Sequence, residues 1–336
     1  MVAAIALLSG CGTSAGDFVS RSGSGFVRDG QPFRFVGFNY FDAAASDIYS
    51  CAPQARLSDD DLTALLRTAH DTAGATVLRF WAYQPYTDGG RDFTGIDRVL
   101  TAAKKADMLV IPVLEDGPGY CTTGETGMSK AEYMDDQWYT TGYREKFGSA
   151  RLSYRDYAKV LTEHYADDPT ILAWMMVNEA ETSRRVDGDR TALLPFAQDV
   201  ASVIRSVDTH HLLTLGTQSN GAPGTSGPDF AALYGDPSSD FAEVHDWAYY
   251  GADDQALPGS QDGRLPDPAS GQCQQRSARI ACSFAIAQQA RQAPRGGRGR
   301  HQGDRRRRPH APRRAGSAPR PTPTSRRAQT ATSSGT

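Results

Sequence analysis

Short, nearly continuous apolar runs alternate along this chain with segments of helical periodicity, and few folds accommodate that alternation. Phe33 to Asn39, Thr76 to Trp81, Met108 to Leu114, Ile171 to Val177, Leu212 to Gly216 and Phe241 to Trp247 read as six core strands. Between them, Ser58 to Asp61 caps a helix running to Ala73, and amphipathic patterns cover Gly95 to Lys105, Tyr154 to His164 and Leu193 to Val207. Strands joined through crossover helices run parallel, and apolar strands without polar alternation belong to a sheet covered on both faces. A closed barrel and a doubly wound open sheet both satisfy this pattern. No glycine-rich phosphate loop follows the first strand, which leaves the nucleotide-binding version of the open sheet without support. Polar and aromatic residues gather instead where the runs end: Asn39, Arg79 with Trp81, Glu115 with Asp116, Asn178 with Glu179, and His245 with Trp247. That is the end at which barrels build their sites.

At 336 residues one large domain suffices, and a formal charge of -3 gives no general preference for polyanions. The average conceals two segments. Residues 291 to 336 hold thirteen Arg and one Asp with no Lys or Glu, a charge of +12, so residues 1 to 290 carry -15. The tail also lacks Val, Ile, Leu, Met, Phe, Trp and Tyr, and therefore has too little apolar surface to offset its ordering entropy. It reads as a disordered basic segment. No aromatic residue is interleaved with its arginines, so a nucleic-acid partner is not expected.

The opening MVAAIALLSGC is an apolar run ending in Leu8-Ser9-Gly10-Cys11, followed by small and polar residues. It resembles a bacterial lipoprotein signal in which Cys11 is acylated; a short buried helix is the plain alternative. The expectation is a monomer anchored by lipid on the outer face of the membrane. Cys51, Cys121, Cys273 and Cys282 then remain, an even number suited to an oxidising compartment. Of the three connectivities, local pairing of Cys273 with Cys282, and of Cys51 with Cys121 between two loops, is preferred. No CxxC spacing occurs and no His lies near these residues, so no metal is expected.

The most specific local signal is Ile171-Leu172-Ala173-Trp174-Met175-Met176-Val177-Asn178-Glu179, an apolar strand ending abruptly in an amide and a carboxylate. With "PFRFVGFNYFD", "VLRFWAYQPY" and "FAEVHDWAYY" in the same order, it resembles glycoside hydrolase family 5, the cellulase and β-mannanase family, over roughly residues 22 to 290. The resemblance implies an α/β fold, a (β/α)8 barrel with about six of its eight strands present. It also implies Glu179 as acid/base, Asn178 on the sugar 2-hydroxyl, Arg79 bracing the carboxylates, Trp81 stacking on a ring, and His245 beside the reacting sugar. Trp247 stands where the family has a Tyr, and Glu115 joins the substrate-binding set. For the residues taken alone, an ion pair for Arg79, core packing for Trp81 and a satisfied core histidine for His245 stay open. Loop aromatics Tyr83, Tyr86, Tyr120, Trp138, Tyr139, Tyr249 and Tyr250 are candidates for the glycan cleft, of which two or three are expected to line it.

Retaining hydrolysis needs two carboxyl groups: one protonates the leaving oxygen and the other attacks the anomeric carbon, with no cofactor. The resemblance places the second on a seventh strand within a "VVGExG"-like stretch, yet no Glu follows Glu243. Residues 283 to 290 still read as the helix before that strand, after which the composition changes at once. Back-translating Arg291 to Asp304 with permitted codons and reading one base later gives, as one allowed result, Ala-Lys-Pro-Arg-Val-Val-Gly-Glu-Ala-Gly-Ile-Lys-Ala-Thr. The expectation is therefore a signal and linker over residues 1–21, a truncated hydrolase barrel over 22–290, and an out-of-frame tail over 291–336. Such a chain would be a β-1,4-glycan hydrolase, on mannan first and glucan second, impaired by its missing nucleophile. The alternative is a non-hydrolytic glycan-binding lipoprotein.

Overall fold

The computed structural model describes residues 18–117, 119, 121, 137–218, 222–245, 265–275 and 280–292. An antiparallel hairpin layer comes first: β1 (Ser20–Ser22), β2 (Gly25–Arg28) and β3 (Gln31–Phe33), turning through Asp29 and Gly30 with left-handed backbone. The central sheet follows, with β4 (Gly37–Asn39), β5 (Val77–Trp81), β6 (Leu109–Val113), β7 (Ala173–Met175) and β10 (Leu212–Thr214). Its order is β10-β7-β6-β5-β4 and every pairing is parallel. A sheet that adds each strand beside the previous one is wound in one direction, which makes it a barrel wall. A doubly wound sheet would reverse its order at a switch point. The fold is an incomplete (β/α)8 barrel.

Helices α1 (Asp59–Ala73), α2 (Thr94–Lys105), α3 (Tyr154–His164) and α4 (Leu193–Arg205) cover the outside of the wall. Ser58 caps α1 by accepting from Asp61 N, with Asp59, Asp60 and Asp61 in the first turn, and Ser153 caps α3 in the same way through Asp156 N. Leu62 and Leu66 of α1 and Val200 and Ile204 of α4 are fully buried. β6 and β7 are buried at every position, as the unbroken apolar runs require. A two-stranded ribbon, β8 (Arg185–Val186) with β9 (Arg190–Thr191), precedes α4, and α5 (Pro228–Gly235) and α6 (Ile280–Gln292) close the described part.

Two expectations shift. The first predicted strand is divided between β3 and β4, because Phe33 serves the hairpin and only Gly37–Asn39 joins the sheet. The sixth is not a regular strand over Phe241 to His245. This segment follows β10 through Asp240 N to Leu213 O (2.7 Å), while the Thr214 and Thr217 hydroxyls donate to the carbonyls of Phe241 and Glu243. Side-chain hydroxyls thus take carbonyls that a ladder would use. Disulfides join Cys51 to Cys121, with Cα atoms 5.5 Å apart, and Cys273 to Cys282, 5.1 Å apart. Cys11 and residues 293–336 of the basic tail lie outside the described residues, while Arg291 and Gln292 continue α6.

Candidate active site

Four strand ends are tied together by one line of hydrogen bonds. Arg79 on β5 donates through Nη1 to Asn39 Oδ1 at the end of β4 (3.3 Å) and through Nη2 to Asn178 Oδ1 beyond β7 (2.6 Å). Asn178 Nδ2 in turn donates to Asp116 Oδ1 beyond β6 (2.9 Å). These bonds assign the amide: its oxygen faces the guanidinium and its nitrogen the carboxylate. An amide nitrogen has two protons, and Asp116 accepts one of them. Asp116 is fully buried and Asn178 nearly so, which makes the line stronger than it would be in water.

Glu179 follows Asn178 with φ 59, in the left-handed region that a glutamate rarely occupies. The backbone around it is held on both sides. Asn178 N donates to Glu115 O (2.7 Å), Gly117 N to Asn178 O (2.6 Å) and Ala180 N to Gly216 O (2.9 Å). Neither glycine accepts a side chain here: a Cβ on Gly117 would lie 2.5 Å from both Asn178 O and Glu179 O, and one on Gly216, whose φ is 81, would lie 1.8 Å from Val177 O. The strand therefore ends in a turn that lifts Glu179 away from the sheet while neighbouring strand ends hold it rigid.

The Glu179 carboxylate meets two further groups. Oε1 is 2.6 Å from His245 Nδ1, and Gln218 Nε2 donates to Oε2 at 3.3 Å. On the other side of the same ring, His245 Nε2 lies 2.9 Å from Glu243 Oε1, a charge contact off the axis of a directed hydrogen bond. Burial pulls the His245 pKa down, yet the contacts with Glu179 and Glu243 carry it up to about 9. Beside this cluster opens a cavity of about 440 Å³, with Arg79, Glu243 and His245 in its polar lining and Phe26, Phe35 and Phe241 among its apolar walls.

Not all predicted residues join this cluster. Glu115 is buried and accepts from the Asp116 backbone N–H at 2.8 Å, and Asp116 is the one that reaches Asn178. Trp81 sits 4.5 Å from Phe41 and stacks on Tyr83 at 5.1 Å between ring centres, half-buried at the end of β5. Among the described residues its indole N–H and the Tyr83 hydroxyl have no partner. Tyr83, Tyr86, Trp138 and Tyr139 are at most 5% exposed, so these loop aromatics pack the interior and do not line a cleft. Trp247, Tyr120, Tyr249 and Tyr250 lie outside the described residues. Asp116, Gln218 and Glu243 were missed as site residues. Glu243 had a signal: in extended chain it shares a face with His245, two positions on.

Residues 129–257 match the family model described as GH family 5 beta-mannosidase-like. Mannan endo-1,4-beta-mannosidase 1 of Oryza sativa subsp. japonica is 30% identical over 290 residues, covering 73% of this chain and 62% of the relative. Mannan endo-1,4-beta-mannosidase 3 of Solanum lycopersicum is 28% identical over 293 residues, covering 75% and 66%. The chain thus spans somewhat under two thirds of the length of these curated relatives. Among solved structures, the endo-beta-1,4-mannanase from Thermotoga petrophila is 19% identical with a TM-score of 0.49, covering 66% of this chain and 54% of that one. The chain is related to glycoside hydrolase family 5 and is a glycoside hydrolase by resemblance.

Proposed function

We propose that the strand-end cluster is the acid/base half of a retaining β-mannanase site. Glu179 is the group that protonates the leaving oxygen, Asn178 offers its second amide proton to the sugar 2-hydroxyl, and Arg79 fixes that amide. The observation that carries this reading is the left-handed turn at Glu179, held on a rigid line from Arg79 through Asn178 to Asp116. A strained residue so thoroughly braced is positioned for chemistry. The half-buried Trp81 ring at the end of β5 suits a sugar face. Mannan is favoured over glucan because the relatives above are mannan hydrolases.

The attacking carboxylate belongs to a seventh strand that this reading frame does not encode, so the chain as written binds glycan and turns it over poorly. The abrupt change to a basic, apolar-poor composition from Arg291 is what supports a frame shift at that point. The Leu8-Ser9-Gly10-Cys11 motif and the two disulfides support a lipid-anchored, extracellular location. The deciding experiment is to resequence the codons for Gln289 to Asp304 and assay the corrected protein on mannan and cellulose beside Glu179→Gln. A restored "GExG" strand with mannan cleavage lost in the variant is the expected result. A gene that confirms the sequence as given, together with activity independent of Glu179, would overturn the reading.

A further inference from the structure

Two carboxylates contact the two nitrogens of one imidazole. His245 Nδ1 lies 2.6 Å from Glu179 Oε1 and Nε2 lies 2.9 Å from Glu243 Oε1. A neutral imidazole has one N–H and one lone pair, so in either tautomer the lone pair would face an acceptor oxygen at contact distance. The imidazolium removes the conflict: it donates to Glu179 and meets Glu243 as an off-axis charge contact. Water does little to relieve the conflict, because the side chains of His245, Glu179 and Glu243 are 21%, 13% and 16% exposed.

We propose that Glu243 is a positioning residue for the proposed acid/base: facing the far nitrogen of His245, it holds the ring doubly protonated and thereby fixes Glu179 as a hydrogen-bonded carboxylate. The inference rests on the reading of Glu179 given above. The charged groups around the ring come from three elements. Glu243 is on its own segment and Glu179 stands beyond β7, while Arg79 on β5 opposes the cation. Beyond β10, the Gln218 amide donates to the remaining oxygen of Glu179. Two anions against one guanidinium favour the cation, in line with the raised pKa of His245. The consequence is directional. While Glu243 is ionised, a proton on Glu179 is disfavoured, because it would displace the imidazolium proton from its best acceptor.

The test uses the full chain and follows the His245 ring by NMR, its signals assigned by their loss in His245→Gln. In the unsubstituted chain at neutral pH, the ring nitrogen shifts are those of two protonated nitrogens; one bare nitrogen overturns the proposal without any variant at the Glu243 position. Glu243→Gln lowers the titration midpoint by roughly one to three pH units, and Glu243→Asp restores most of it. A midpoint unmoved by Glu243→Gln, or lowered equally by both variants, also overturns it. Mannohexaose binding is measured on the same samples. Loss of the sugar with the His245 response intact would sink the glycan reading and leave this one standing.

Discussion

The two ends of the parallel sheet each bury a histidine against carboxylates, and they use it differently. At the N-terminal end, just before β10, His211 is fully buried: Nδ1 pairs with Asp208 Oδ2 at 2.7 Å and Nε2 bonds to the Asp168 carbonyl at 2.9 Å. Trp174 Nε1 donates to the same Asp208 oxygen at 2.7 Å, so the indole, the ring and the carboxylate engage one another inside the wall and the cluster is closed. At the C-terminal end, His245 sits between two carboxylates beside a cavity, next to a glutamate with strained backbone. The first arrangement stabilises the wall. The second lies beside a cavity at the C-terminal end, which is how barrels divide stability from function between their two ends.

The comparison predicts its largest effect at the closed end. Asp208→Ala leaves the Trp174 N–H and the His211 ring without their shared acceptor and costs about 3–5 kcal/mol by urea unfolding, with oligosaccharide affinity of the folded fraction unchanged. Equal damage to binding would break the division between the ends. Gly117→Ala comes next. Its methyl meets the Asn178 and Glu179 carbonyls at 2.5 Å, so it costs about 1–3 kcal/mol and, unlike Asp208→Ala, also weakens sugar binding.

Acid unfolding sharpens the contrast. Burial raises the Asp208 pKa, but the hydrogen bonds from His211 and Trp174 prevail and hold it below the ordinary value. A depressed carboxyl stabilises the fold above its unfolded pKa, about 3.9, and that contribution is lost as pH falls through the folded value. Asp208→Asn should therefore flatten the acid limb of a stability–pH curve below about pH 4. His245 has the opposite sign: its raised pKa contributes fully below about 6.5 and the contribution is lost as pH rises through the folded value. The smallest effect is at Lys104, whose ammonium pairs with Asp168 at 2.8 Å from an exposed position. Lys104→Ala should change stability by about 0–1 kcal/mol, and less in high salt.

Much of this was legible in the sequence because it follows from periodicity. Unbroken apolar runs such as Leu109 to Val113 signal a strand covered on both faces, and an abrupt Asn178-Glu179 after such a run marks a strand end. The Ser58 and Ser153 caps are equally local. What escaped depends on contacts between strands. Nothing near Asp116 in sequence shows that it, and not Glu115, reaches Asn178 sixty-two positions away. Tyr83, Tyr86, Trp138 and Tyr139 lie in predicted loops yet are buried, because those loops fold over the barrel end and pack one aromatic on another. The left-handed turn at Glu179 is set by the close approach of Gly117 and Gly216 from neighbouring strands, a three-strand constraint with no one-dimensional signature.

The central claim is that the line from Arg79 through Asn178 to Asp116 prepares a β-mannan site. Calorimetric titration of β-1,4-linked mannohexaose into the full chain and into Arg79→Ala tests it most directly. Removing the guanidinium frees the Asn178 amide to turn, so the account predicts saturable binding by the full chain and affinity at least about tenfold lower in the variant, roughly 1.4 kcal/mol. No binding by the full chain, or equal affinity in the two proteins, would contradict it.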